Sequence, residues 1–470
     1  MAQRSSERIL QWLKHLLAVY RKRFYALFLI ERKKMFNYPS DTAVTESIVQ
    51  ECINEHKKDV KSRLEMLHKM YLSDHDILHR DKKESYKPDN RIVVNFAKYL
   101  VDTFNGYFCG VPINVSAPEE EASINDYIAF IHGYNDVNNL NAELAKQTSI
   151  FGKSNEIYYI DEESNNAITL VDPISGFMVR DDSIKAKPLW FIRTYKDKDG
   201  HEHGSIATRN AVRYFDANGA IKWNGDWEEH HFDDVPATEF VENEEHQGLF
   251  EPAITMINEY EKALSEKAND VDYFADAYLK ILGASIDTET MNAIRDNRTI
   301  NISGEDGDKV IVDFLAKPDA DATQEHLIDR LERLIFQISM VANISDENFG
   351  QTSGIAMKYK LQGMDNLAKA KSRKFESALL RRYKLLFGSS ASAVGADDWT
   401  NLSFKFTANI PNNLADEADT ATKLEGIVSK ETQLKTLSIV DNVSEEIEAL
   451  EKENEPAITT RFGADPYGKN

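Results

Sequence analysis

The sequence predicts an α+β protein. Long helical runs with a 3.6-residue apolar period fill the first third and the last half of the chain. Between them, residues 155–241 switch to a two-residue period broken by turn signals. Two further helices flank a small hairpin-like unit, an arrangement in which neither helix can bury its whole apolar face alone.

The elements follow in order. Residues 42–72 read as one helix with Ile48, Cys52, Val60, Leu64, Leu67 and Tyr71 near one stripe. Arg91 to Phe108 reads as a second, very apolar helix closed by Gly110 and Pro112. Two shorter helices are expected near 119–133 and 137–150. The β block offers "NEIYYID", "AITLVD", "LWFIRTYKD", "NAVRYFD", "AIKWNG" and "EEHHFDD", separated by "KDGH", "ANGA" and "WNGDW".

Helix returns at 250–282, where Phe250, Ile254, Ile257, Leu264, Ala268, Val271, Ala275 and Tyr278 form a narrow seam. Glu251, Glu259, Glu266 and Asp270 recur on another face. A short helix near 288–297 precedes "RTINISGEDGDKVIVDFLA", a hairpin turning at "GEDGD". A second seam helix spans 322–342, with Leu327, Leu331, Leu334, Ile338 and Val341 spaced by fours and threes. Asp321 and Gln324 can form a capping box before it.

About ten polar residues follow, "NISDENFGQT", too long for a tight helix hairpin. The helix after them, 353–387, would run about 50 Å. It carries nine Lys/Arg against Asp365 and Glu376. A strand, "LSFKFTANIP", precedes an acidic helical stretch, 414–455, with twelve Asp/Glu against four Lys. The tail from Pro456 reads as disordered.

Composition limits the function. The 470 residues carry a net charge of −22, which argues against nucleic-acid binding by the bulk surface. Cys52 and Cys109 form neither a disulfide framework nor a metal spacing, and read as two buried thiols in a reducing cytoplasm. No run reaches the length of a membrane span. Residues 1–34 differ, with nine Lys/Arg against Glu7 and Glu31, a net +7 that leaves −29 on 35–470. Trp12, Leu13, Leu16, Leu17, Tyr20 and Phe24 fall at near-helical spacing there. A membrane-surface arm and a translation start at Met35 both fit this segment. Interrupting charges speak against a signal peptide.

Catalytic and metal motifs are weak. "FGKS" at 151–154 resembles the end of a phosphate loop, yet Gln147 stands where a glycine is required. Gly152 as a helix cap fits better. His201, His203, His230 and His231 sit beside turns among charges, as surface hairpin histidines do. "NISDE" matches a glycosylation sequon, which a protein with reduced cysteines is not expected to use. No H-E-x-x-H or G-x-S-x-G occurs, and nothing supports an enzyme, a cofactor or a bound metal.

Four stretches carry a resemblance: "RIVVNFAKYLVDTFNGYFCGVPI" (91–113), "IYYIDEESNNAITLVDPISGFMVRDDS" (157–183), "NISDENFGQTSGIAMKYKLQGMDNLAKAKSRKFESALLRRYKLL" (343–386) and "IVSKETQLKTLSIVDNVSEEIEALEKENE" (427–455). In this order they resemble the portal proteins, or head-to-tail connectors, of tailed double-stranded DNA bacteriophages, the kind typical of siphophages of Gram-positive hosts. The likeness runs from Met35 to Glu455, the third stretch being the most specific. Family members tend to begin near Met35, so residues 1–34 depart from the pattern.

The resemblance implies a homo-oligomeric ring of roughly twelve subunits (a 12-mer) at one capsid vertex. It implies a wing (35–248, with the helix and strand of 353–411), a stem (249–275 and 322–342), a clip (276–321), a channel loop (343–352) and a crown (412–455). The implied partners are double-stranded DNA in transit, the terminase large subunit, a head-completion adaptor, the scaffold and the major capsid protein. The implied location is the virion, with the host cytoplasm during assembly.

Asn343, Ser345, Asp346, Glu347, Asn348, Gln351 and Thr352 would then meet DNA, Glu251, Glu259, Glu266 and Asp270 would face the channel, and Glu305, Asp306 and Asp308 would dock partners. An acidic lining repels phosphate and lets DNA slide. The cations of 353–387 would pair with acidic faces of a neighbouring subunit. A helical scaffold or membrane-edge adaptor using the basic arm is the alternative.

Overall fold

The computed structural model describes residues 36–84, 87–275, 279–282, 311–314, 321–345, 354–410, 414–437, 439–440 and 443–454. They fall into two units, one of residues up to 343 with 362–408, the other of 344–361 with 409–470.

The first unit opens with β1 (Asn37–Tyr38) and a helical run in three parts. α1 (Glu46–Glu55) passes through a π-helical turn (His56–Lys61) into α2 (Ser62–Tyr71). The single helix expected at 42–72 thus changes pitch halfway. The wider turn re-aims the apolar stripe. Val49, Cys52 and Ile53 of α1 pack on a sheet with Phe177, Trp190 and Phe215, while Leu64, Leu67 and Met70 of α2 are buried elsewhere. His56 stacks on Phe177 at 4.3 Å, and burial drives its pKa down to about 3.

α3 (Phe96–Cys109) starts five residues later than expected, because the Asn95 side chain accepts the Lys98 N–H at 2.8 Å and leaves 91–95 outside the helix. β2 (Asn114–Ser116), α4 (Ala122–Tyr134) and α5 (Val137–Phe151) follow. α5 ends at Gly152, whose φ is +84° and whose N–H donates to Thr148 O at 2.8 Å. A Cβ there would lie 2.0 Å from the His246 carbonyl, so only glycine fits. Lys153 and Ser154 then open a strand, as the cap reading of "FGKS" requires.

β3 (Lys153–Ile160), β4 (Asn166–Val171), β5 (Gly176–Asp181), β6 (Pro188–Lys196), β7 (Glu202–Ala207), β8 (Ala211–Asp216), β9 (Lys222–Glu229) and β10 (Ala237–Val241) form two sheets. One has the order β1-β5-β6-β7-β8-β9, the other β10-β3-β4. All pairs are antiparallel except β1 with β5. Three strands lacked a clear signal. β5 is buried at nearly every position and shows no alternation. β7 carries Gly204, where a Cβ would strike the Phe215 ring at 2.3 Å. β10 is a five-residue strand after a loop. "EEHHFDD" is not a strand of its own, since Glu228 and Glu229 end β9 and His231 turns away with φ +61°.

α6 (Ile254–Ala275) ends short of the expected 282. Leu279–Leu282 is instead β11, paired antiparallel with β12 (Ile311–Phe314). An apolar run this short has no helical period to read. The first arm and turn of the expected 298–316 hairpin lie outside the described residues, as does the helix expected at 288–297. α7 (Asp321–Ser339) and α8 (Gly354–Phe387) follow, and β13 (Ser403–Lys405) returns to pair with β2.

In the second unit, the acidic stretch expected as continuous helix divides into α9 (Leu414–Leu424), α10 (Lys430–Leu434) and α11 (Val443–Asn454). Ala421 and Leu434 are buried, and Gln433 Nε2 donates to Ala421 O at 2.8 Å.

Four cations of α8, Lys371, Lys374, Arg381 and Arg382, are used inside the chain, which corrects for these four the expectation that they reach a neighbour. Arg382 holds Glu156 of β3 through Nε (2.8 Å) and Nη2 (2.7 Å), with Asn141 of α5 on Nη1. Lys371 pairs with Glu242 at 2.6 Å and donates to Ala145 O and Ser149 Oγ, each at 2.8 Å. Both cations are removed from water. Lys374 meets Glu244, and Arg381 meets Asp234. Burial lowers the pKa of Lys371, and the charge and hydrogen bond of Glu242 oppose that shift.

Arg382→Met should cost about 3–5 kcal/mol, because it leaves the buried Glu156 carboxylate without its cation, with the Tyr158 hydroxyl still donating to it. Adding Glu156→Met should recover much of that loss in the same urea titration, and a double variant as unstable as the single would show that the pair is not the cause.

Candidate functional site

The two candidate stem helices, α6 and α7, pack side by side in the first unit. Lys267 pairs with Glu325, and Gln324 Nε2 donates to Asp270 Oδ2 at 3.4 Å. Gln324 Oε1, the acceptor a capping box would use, has no hydrogen-bond partner among the described residues. An aromatic hub ties both helices to the start of α3. Phe96 meets Tyr260 edge-on at 5.0 Å and Phe336 at 5.9 Å, and Tyr99 meets Phe336 at 5.7 Å.

The buried stripes differ from the expected seams. On α7, Ile328, Ile335 and Ser339 are buried. Leu327 is 51% and Ile338 47% exposed, with Leu331 and Leu334 half-buried between them. Those four share one face by their four-three-four spacing, about a quarter turn from the buried one. On α6 the seam holds at Ile254 and Ile257. Beyond it the buried positions are polar: Glu261, Ser265 and Asn269. Val271 of the expected seam is exposed.

This polar row receives an extended segment. Val94 N–H donates to Glu261 Oε1 (3.1 Å), Ile92 N–H to Ser265 Oγ (2.9 Å) and Asn90 N–H to Asn269 Oδ1 (2.6 Å). Sequence reasoning missed these residues because polar side chains read as surface. The available signal was their i, i+4, i+8 spacing.

The four channel carboxylates do not act alike. Glu251 is buried in the turn before α6, where Arg63 donates to it at 2.7 and 2.6 Å and Gly248 N–H at 2.9 Å. That corrects its assignment to a solvent-facing row, since its carboxylate is consumed inside the fold. Glu266 is held by Lys83 at 2.8 Å, which with Asn269 lowers its pKa. Asp270 is half-buried toward α7, and Glu259 is exposed beside Lys262.

Of the channel loop, Asn343 reaches Glu332 at 3.4 Å, and Ser345 is exposed. Asp346, Glu347, Asn348, Gln351 and Thr352 lie outside the described residues, as do Glu305, Asp306 and Asp308 of the clip and the arm 1–34.

The hairpin histidines are mostly held by neighbours. His203 sits between Asp216 (2.7 Å) and Asp197 (3.1 Å), whose hydrogen bonds raise its pKa. Asp197, Asp199 and His201 bring one donor atom each within 4.8 Å on an exposed turn, a closer grouping than the sequence suggested. Cys52 is buried and Cys109 only half-buried, and burial pushes both thiols up to about 11. No helix among the described residues is long and apolar enough to cross a membrane.

Comparison with known proteins gives this arrangement its family. The family described as "Phage portal protein, SPP1 Gp6-like" matches residues 50–460. The portal protein of Clostridium phage phiCD119 is 23% identical over 406 residues, covering 80% of this chain and 89% of its own. A solved structure described as "Neck of empty GTA particle computed with C6 symmetry" aligns at 13% identity with a TM-score of 0.43, over 72% of this chain and 89% of its own. The chain belongs to the SPP1 Gp6-like family of phage portal proteins.

Glu251→Ala should lower stability by about 2–3 kcal/mol in urea, because Arg63 and Gly248 lose their acceptor. Glu259→Ala should stay within about 0.5 kcal/mol. Equal, negligible effects would return Glu251 to the solvent-facing row.

Proposed function

We propose that this chain assembles into a ring that conducts double-stranded DNA into and out of a capsid.

 The ring has no reaction of its own, and a separate ATP-hydrolysing motor supplies the work. Family membership supports a portal at a capsid vertex. The observation that carries the ring is the stripe Leu327, Leu331, Leu334 and Ile338 on α7, whose ends are exposed and whose middle is half-buried although a face a quarter turn away is packed. A neighbouring copy, docked head to tail, covers such a stripe and closes a ring by rotation.

In this reading α6 and α7 are the stem, and roughly twelve copies surround the channel. The net charge of −22 recurs with each copy, so the assembly repels phosphate and does not grip the DNA it passes. The loop 343–352 projects toward the duplex with short, polar and net acidic side chains. Glu259 remains the stem carboxylate most exposed to a channel. The clip, with Glu305, Asp306 and Asp308 at its turn, receives the terminase large subunit and then the head-completion adaptor. The wing and crown meet the scaffold and the major capsid protein.

Two experiments test this. Leu327→Asp with Ile338→Asp should give a folded monomer by circular dichroism and light scattering, where the parent chain elutes as a ring. A variant that still assembles would move the subunit contact elsewhere. Asp346→Lys with Glu347→Lys should leave the ring intact and slow DNA packaging in vitro, with the defect easing as salt rises, because each new cation adds a phosphate contact. Packaging at the parent rate at every salt concentration would remove the loop from the channel.

A further inference from the structure

The second half of α6 is not joined to the wing by an apolar core. It is joined by a row of acceptors. An α-helix advances about 6 Å over four residues, and an extended chain advances about 6.6–6.8 Å over two. Side chains at Glu261, Ser265 and Asn269 can therefore stay in step with the N–H groups of Val94, Ile92 and Asn90 for three contacts before the rows drift apart. The helix plays the part of a neighbouring strand for a segment that has no strand partner at these N–H groups. Asn90 Nδ2 also reaches Asp272 at 2.6 Å, and Arg91 folds back onto Leu78 O at 2.8 Å. Asn95 Nδ2 closes the end of the segment on Tyr71 O at 2.9 Å.

The row ends on a buried charge pair. His75 Nδ1 lies 2.6 Å from Glu261 Oε1, and His75 Nε2 lies 2.8 Å from Met70 O. A carbonyl only accepts, so Nε2 carries a proton. Nδ1 lies at ion-pair distance from a carboxylate, which favours a second proton there and an imidazolium ring. Both side chains are removed from water. The charged groups that act on His75 are Glu261 from α6, and Asp74 and Asp76 from its own loop. Burial disfavours the charge, but the hydrogen bond and charge of Glu261 outweigh it and raise the pKa. Losing that proton would leave Glu261 as a buried anion facing only one N–H donor, Val94.

We infer that segment 88–95 is a polar latch on the stem helix, held by the Glu261–Ser265–Asn269 row and locked by the buried His75–Glu261 pair, and that it opens as one unit when that pair is broken. A polar row out of water is either made or unmade, so the stem has two discrete states against the wing rather than a continuum. His75 is raised above its unfolded value, so its contribution is complete below about pH 6.5 and is lost as pH rises through the folded pKa.

Hydrogen–deuterium exchange of the full-length chain tests this, read on peptides covering 88–95 and corrected for the pH dependence of intrinsic exchange. Protection should fall at least tenfold between about pH 6 and about pH 9, while peptides of β6 and β7 keep theirs. Glu261→Gln should lower protection of 88–95 about tenfold already at the acidic end and flatten the pH response. Glu259→Ala, on the exposed side of the stem helix beside Lys262, should leave the pH response intact. A wild-type segment whose corrected protection is constant across that range would overturn the latch. So would a loss that spreads equally to the sheet peptides, because the opening would then not be local. The wild-type series needs no variant to fold, and none of these readouts depends on ring formation or on DNA.

Discussion

A cation with no water around it must have a carboxylate, and α8 carries two such cations eleven residues apart, three turns along one face. Lys371 takes Glu242 just after β10, and Arg382 takes Glu156 in the middle of β3. The two contacts fix both the rotation and the axial position of the helix against the β10-β3-β4 sheet. Each cation also holds α5, Lys371 through Ala145 O and Ser149, Arg382 through Asn141. Phe104, Phe108 and Phe375 close over the Lys371 ammonium at 5.2, 5.1 and 5.5 Å, so α3 is fitted to the same point. With α8 set, the chain beyond it is delivered to pair β13 with β2.

This constraint explains why the charge of α8 was misleading in the sequence. A run with nine Lys/Arg looks like a surface seeking an acidic partner, and net charge does not reveal which cations point inward. The same blindness hid Glu261, Ser265 and Asn269. Hydrophobic periodicity finds faces that exclude water through carbon, and a face that excludes it through matched hydrogen bonds has no such signature. Glu251 was placed with Glu259 and Glu266 for the converse reason, since residues at helical spacing share a face only where the helix has begun, and Glu251 lies in the turn before α6.

Other features were legible because one physical rule decided them. The change from helical to alternating period marked the β region, although β5 and β7 needed tertiary information: burial on both faces in one case, an aromatic ring against Gly204 in the other. Gly152 could be read as a cap because a helix must end before a strand can start, and a left-handed residue ends it. On α7 the four-three spacing reads as a packing stripe, but the letters do not say which stripe packs inside the chain. Two stripes a quarter turn apart fit the same letters, and only the fold shows that Ile328 and Ile335 face inward while Leu327 and Ile338 do not.

The exposed stripe has a thermodynamic consequence. In the proposed ring, free energy released when association covers Leu327 and Ile338 belongs to no single chain, and it enters the unfolding equilibrium through mass action. The midpoint of unfolding then climbs with protein concentration, and each tenfold dilution subtracts a fixed increment of stability from every subunit. For such a chain, dilution is itself a denaturant.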